Sequence, residues 1–93
     1  MEFEWDDAKA TINLARHGVD FQDAIQAFLD PFRLEVEDTR FEYGELRYRM
    51  LGDVHGVLLA VVFTERGETT RLISARVATP NERRVYHENQ ARP

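Results

Sequence analysis

The side chains in this 93-residue chain that could do chemistry are few and mostly cationic: Lys9, His17, Glu65, Arg66, Arg71, Arg76 and Tyr86. As a set they suit cleavage of an RNA phosphodiester. A base must take the proton from a 2′-hydroxyl, cations must stabilise charge growing on the phosphate oxygens, and an acid must protonate the departing 5′-oxygen. A histidine, a glutamate or a lysine with a depressed pKa can serve as the base, and a guanidinium can clamp a phosphate through two parallel hydrogen bonds. Such chemistry needs neither a metal nor another cofactor. Each residue also has a plainer reading. His17 suits the last turn of a helix, Glu65 and Arg66 a solvated turn, and Tyr86 a half-buried ring. Arg71 and Arg76 could lay their stems on apolar surface and keep their heads in water.

Other chemistries find less support. His17, His55 and His87 are far apart and show no metal-ligand spacing. There is no cysteine, hence no thiolate nucleophile, disulfide framework or Cys-containing zinc site. The lone serine, Ser74, falls inside a strand pattern with no nucleophile elbow around it. The five glycines are single turn residues and form no phosphate loop. The formal charge of −5 argues against a general nucleic-acid binder, yet it is uneven. Residues 1–45 carry four basic and twelve acidic side chains, whereas residues 46–93 carry eight basic and five acidic ones. A locally positive surface on an acidic protein follows. Eleven of the twelve basic residues are arginine, a bias toward bidentate recognition. The start of the chain is acidic with no apolar leader, and no apolar run approaches the ~20 residues of a membrane span, so a cytoplasmic protein is expected.

The elements that must position these groups read as one α+β domain over residues 1–93. Phe3 and Trp5 alternate with acids as a short edge strand. Asp6 then caps a first helix ending at His17-Gly18, with Ala8, Ile12 and Ala15 as its buried face and Leu14 flanking it. Lys9, Asn13 and Arg16 share its polar face. Asp20 caps a second helix from Phe21 to about Leu29, stopped by Asp30-Pro31. Four antiparallel strands follow: Phe32 to Glu37, Leu46 to Leu51, Leu58 to Phe63 and Thr69 to Ala78. Gly52-Asp53 opens a loop between the middle pair. Strict alternation in the last strand puts Thr70, Leu72, Ser74 and Arg76 on one face, and Arg71, Ile73, Ala75 and Val77 on the other. Thr79-Pro80-Asn81-Glu82 is a capping box that starts a third, very polar helix reaching about Asn89. Gln90 to Pro93 reads as a frayed tail.

The wording of the chain carries more than its pattern. FEWDDAKATINLARHGVDFQDAIQAFLDP, at Phe3–Pro31, resembles the N-terminal signature of the BrnT family of bacterial toxins. Arg47, Gly52, VVFTERG at Val61–Gly67 and RLISARVATPNERRVY at Arg71–Tyr86 resemble the family's later blocks in the same order. Arg16 stands where the family often has lysine. The resemblance implies a RelE-like fold, two N-terminal helices and one C-terminal helix on a small sheet, with ribonuclease activity that arrests translation. It implies a BrnA-like antitoxin whose ribbon-helix-helix half binds operator DNA, in a heterotetramer or beside a toxin homodimer. Carried over by position, the catalytic set is Lys9, His17, Glu65, Arg66, Arg76 and Tyr86, with Lys9 and Arg76 holding the scissile phosphate in one cleft. Arg66 would stabilise the pentacoordinate state, Glu65 or His17 would move protons, Trp5 would stack on a base, and Arg71 would bind RNA. The alternative is a binding module that complexes the antitoxin and assists repression without chemistry of its own.

Overall fold

The computed structural model describes residues 1–90, so the expected tail past Gln90 lies outside the described residues. In chain order the elements are β1 (Glu2–Glu4), α1 (Asp7–His17), α2 (Phe21–Ala24), a 3₁₀ turn (Ile25–Leu29), β2 (Leu34–Glu37), β3 (Tyr48–Val54), β4 (Val57–Arg66), β5 (Thr69–Val77) and α3 (Pro80–Gln90). The sheet has five strands in the order β1-β5-β4-β3-β2. It is mixed rather than purely antiparallel, because β1 pairs parallel with β5, Phe3 opposite Thr70. The short N-terminal strand is thus a full member of the sheet, where it covers part of an otherwise unpaired edge.

One face of the sheet carries the main core, where Phe21, Phe28, Met50, Val61, Phe63 and Leu72 are buried together. The Phe28 ring lies 5.0 Å from Phe3 and 4.9 Å from Phe63, tying the N-terminal strand and the 3₁₀ turn to β4 through tilted and edge-on aromatic contacts. Gly52 makes the close approach possible: a Cβ there would sit 2.7 Å from the carbonyl oxygen of Ala27. It therefore lies within β3 instead of opening a loop, because the 3₁₀ backbone presses on the strand at this point.

Three further expectations change in three dimensions. The face of α1 expected to be buried is exposed: Ala8, Ile12 and Ala15 face solvent, with Ile12 55% exposed. The buried residue is Asn13, from the supposed polar face. Its side-chain oxygen accepts from the Ala75 N–H at 3.1 Å, and its amide donates to the carbonyls of Ala75 at 2.8 Å and Val19 at 2.9 Å. The helix lies along the β5 edge past the end of β1, and one amide side chain satisfies backbone groups that an apolar residue would leave orphaned. The second helix is α-helical only to Ala24. Past it the 3₁₀ pitch shifts the phase, so Leu29 turns outward while Ala27 and Phe28 are buried.

The third change matters most for the site. Val62 pairs with Ser74 and Phe63 with Leu72, so Ile73 is an extra residue in β5, a bulge. Strict alternation fails there. Leu72 and Ala75 both point into the core, while Arg71, Ser74 and Arg76 all fall on the opposite face.

That opposite face is only partly covered. α3 packs on one end through Tyr86 against Leu58 and Ala78, with Leu34 and Leu51 alongside. Tyr86 donates its hydroxyl to Asp30 Oδ2, which also accepts from the Asp53 N–H at 2.8 Å, and Asp30 Oδ1 accepts from the Phe32 N–H at 2.9 Å. Burial works to raise the Asp30 carboxyl, but these donors outweigh it and the group titrates below its ordinary value. Burial, and then the bond to Asp30, push the Tyr86 hydroxyl up to about 12.

Candidate functional site

Past the end of α3 the sheet face opens into a groove of about 540 Å³. Its existence follows from residue size. Ala60 and Ser74, neighbours on β4 and β5, are short side chains at the middle of the face, and α3 covers only the end beyond them. Leu34, Val36 and Leu51 supply an apolar wall from β2 and β3, and the first turns of α3 supply the other through Asn81, Glu82 and Val85.

Three guanidinium groups line this groove: Arg40 from the β2–β3 loop, Arg49 from β3 and Arg76 from β5, with His17 contributed by the last turn of α1. Arg76 is gripped at both ends of its fork by Glu82, Nη1 to Oε1 at 2.7 Å and Nη2 to Oε2 at 3.0 Å. The same carboxylate accepts from the Thr79 N–H at 2.8 Å, and the Glu82 N–H donates to Thr79 Oγ1 at 3.2 Å. The capping box expected from the sequence therefore has a second use: it aims an arginine. The Arg76 bond chiefly, helped by the Thr79 N–H and set against burial, lowers the Glu82 carboxyl from 4.5 to about 2. Arg76 is raised in turn by its hydrogen bond to Glu82.

Arg40 is fixed in the same manner. Its Nε and Nη2 each donate to an oxygen of Asp38 at 2.8 Å, and the Tyr43 hydroxyl donates to Asp38 Oδ2 at 3.1 Å. Asp38 is buried beneath them, and the Arg40 hydrogen bonds hold its carboxyl well below the usual carboxylate range. Arg40 is near enough to Arg76 for its charge to oppose protonation there. Arg49 is different: it is exposed and takes part in no ion pair among the described residues. The groove thus holds two arginines pre-aligned by carboxylates and one open to an incoming anion. An imidazole stands at its wall. Such an arrangement can bind a phosphate bidentately and exchange a proton with it.

Of the residues expected from the sequence, His17 and Arg76 meet in this groove and the others are elsewhere. Lys9 stands in the first turn of α1, exposed, its N–H bonded to Asp6 Oδ1 at 3.0 Å, and it does not line the groove. Trp5 packs edge-on against Phe21 at 5.9 Å, half-buried against the main core, and does not line the groove. Arg71 shares the groove's side of the sheet but pairs with Glu4 across the β1 edge at 3.6 Å. Glu65 faces the core side, where Thr70 donates to it at 3.1 Å, because it stands opposite Thr70 on the far end of β4. Arg66 reaches Glu45 at 3.4 Å in the same region. Tyr86 is buried under α3.

Sequence reasoning passed over Arg40, Arg49 and Glu82. For Arg49 the signal was present, since the alternation of β3 sets it beside Leu51 on one face. Glu82 could be read only as a cap, and nothing local marks Arg40 inside a polar loop.

A sheet face floored by small side chains and rimmed by guanidinium groups has the chemistry to receive a phosphate-bearing ligand. The sequence matches, over residues 5–82, the family described as ribonuclease toxin, BrnT, of type II toxin-antitoxin system. The chain belongs to that family, which makes RNA its class of target and an antitoxin its class of partner. No curated relative matches the chain. Among the described residues no helix is long and apolar enough to cross a membrane.

Proposed function

We propose that the chain is a metal-independent endoribonuclease toxin of RelE-like fold that cleaves RNA in the arginine groove and so arrests translation in the cytoplasm. A BrnA-like antitoxin with a ribbon-helix-helix half neutralises it. The reading is carried by one observation: Arg40, Arg49 and Arg76, from three separate segments, converge with His17 over a floor of Ala60 and Ser74. Arg49, free of any carboxylate among the described residues, receives the phosphate first. Arg76 and Arg40 then stabilise the charge that grows on its oxygens, in positions set beforehand by Glu82 and Asp38, so little reorganisation accompanies the reaction. His17 exchanges the proton. In this reading the groove residues take the work that the resemblance implies for Lys9, Glu65 and Arg66, which do not line the groove.

The test is cleavage of RNA by the purified chain in EDTA. Products ending in a 2′,3′-cyclic or 3′-phosphate are expected, and both Arg76→Ala and His17→Ala should suppress them. An EDTA-sensitive reaction, or full activity in both variants, overturns the reading. A second reading, a non-catalytic module that complexes the antitoxin as co-repressor, is favoured by the carboxylates already neutralising Arg40 and Arg76. Expression without an antitoxin separates the two, since a co-repressor leaves growth unimpaired.

A further inference from the structure

β2 forms one outer edge of the sheet, and its composition is unusual for an edge. An outer strand turns alternate N–H and C=O groups away from its neighbour, and proteins commonly blunt such edges with charge. Among the described residues no hydrogen bond beyond the β2–β3 ladder uses the backbone of Leu34–Glu37. Its side chains divide cleanly. Glu35 and Glu37 stand opposite Met50 and Tyr48 on the core side of the sheet, whereas Leu34 and Val36 stand opposite Leu51 and Arg49 on the groove side. Glutamates that only discouraged pairing would explain the charge. They would not explain the apolar surface left open around it, where Phe32 is 59%, Val36 55% and Phe41 69% exposed.

A second copy of this chain fits the edge badly. Two-fold antiparallel pairing keeps each face of the sheet continuous, so any register overlapping most of β2 sets glutamate against glutamate, and opposed like charges destabilise a ladder. An opposite charge fits well. Residues 33–45 hold two arginines against five carboxylates, and those arginines already serve Glu35 and Asp38. Glu37 has no ion-pair partner among the described residues.

We propose that the β2 edge is a docking site for an extended segment of a partner protein in which basic and apolar residues alternate, added as a sixth strand. Its basic side chains lie beside Glu35 and Glu37, and its apolar ones lie beside Leu34 and Val36 at the wall of the groove. Main-chain bonds supply affinity and the alternate side chains supply selectivity. The inference concerns a binding edge and holds whether or not the groove cleaves RNA.

The probe is a blocked octapeptide of alternating lysine and valine, titrated into the full chain while backbone amide exchange is followed by NMR. Saturable binding is expected, with new protection confined to residues 34–37 and with affinity about tenfold above that of a peptide of the same composition in two blocks. A glutamate-valine peptide should not bind the native chain but should bind the Glu35→Lys, Glu37→Lys double variant. Absence of saturable binding, equal binding of the alternating and block peptides, or protection elsewhere than β2 overturns the proposal. Because the native chain answers with either peptide, a variant that misfolds does not obscure the result.

Discussion

Asp30 and Glu82 are both carboxylates that collect hydrogen bonds, one from the middle of α3 and one in its first turn, and they do opposite jobs. Asp30 is buried and receives a tyrosine hydroxyl and two backbone N–H groups, so it joins the loop before β2, the end of β3 and α3 into one unit. Glu82 sits partly open at the groove and receives a guanidinium fork together with the cap of its own helix. The comparison teaches that burial, more than hydrogen-bond count, decides whether such a hub is structural or available to function. A buried carboxylate that loses a partner leaves orphaned donors behind, whereas a half-open one can exchange its partner for an anion or for water.

The comparison breaks first, if it breaks, at Asp30. Asp30→Ala should cost about 3 kcal/mol in chemical denaturation, because three donors lose their acceptor in a dry site. A loss within experimental error would make Asp30 no different from a surface acid. Next in size is the functional side: Arg76→Ala should lower the RNA cleavage rate about 100-fold, equivalent to about 2.7 kcal/mol of transition-state stabilisation, while stability falls by no more than about 1 kcal/mol. Lys9→Ala serves as its control and should change cleavage by no more than about twofold, as expected for an exposed residue outside the groove. If Lys9→Ala matches Arg76→Ala, the reacting centre lies nearer α1 than the groove. Tyr86→Phe should cost about 1 kcal/mol of stability and leave cleavage intact, separating a core hydroxyl from a proton donor.

The smallest effect is in the pH dependence. The Glu82 carboxyl is lowered in the folded chain from 4.5 to about 2, so its stabilisation is complete above pH 4.5 and is lost as the pH falls through that window. Because the Arg76 side chain is 40% exposed, solvent screening limits this to about 1 kcal/mol. Thermal unfolding of the native chain and Glu82→Gln, compared at pH 6 and pH 3, should show the native chain losing the larger share.

Much of the chain was legible at the level of local rules. The caps at Asp6, Asp20 and Thr79 appear where expected because a cap needs only residues two or three positions apart. Family wording was legible too, and with it the class of target. The groove's lining was legible only in part: His17 and Arg76, named from the sequence, line it, whereas Lys9, Glu65, Arg66 and Tyr86, grouped with them, do not. The buried face of α1 was misread for a related reason: periodicity assumes a helix packs on an apolar surface, whereas α1 meets a strand edge whose unpaired backbone selects an amide.

Local propensity, capping chemistry and charge type are properties of neighbouring residues, and the order of residues alone determined them here. Which arginines share a groove was decided by the fold. One bulged residue, Ile73, reverses the phase of β5 and brings Arg71, Ser74 and Arg76 to a single face, because a side chain's direction depends on how the strand pairs and not on its place in the chain.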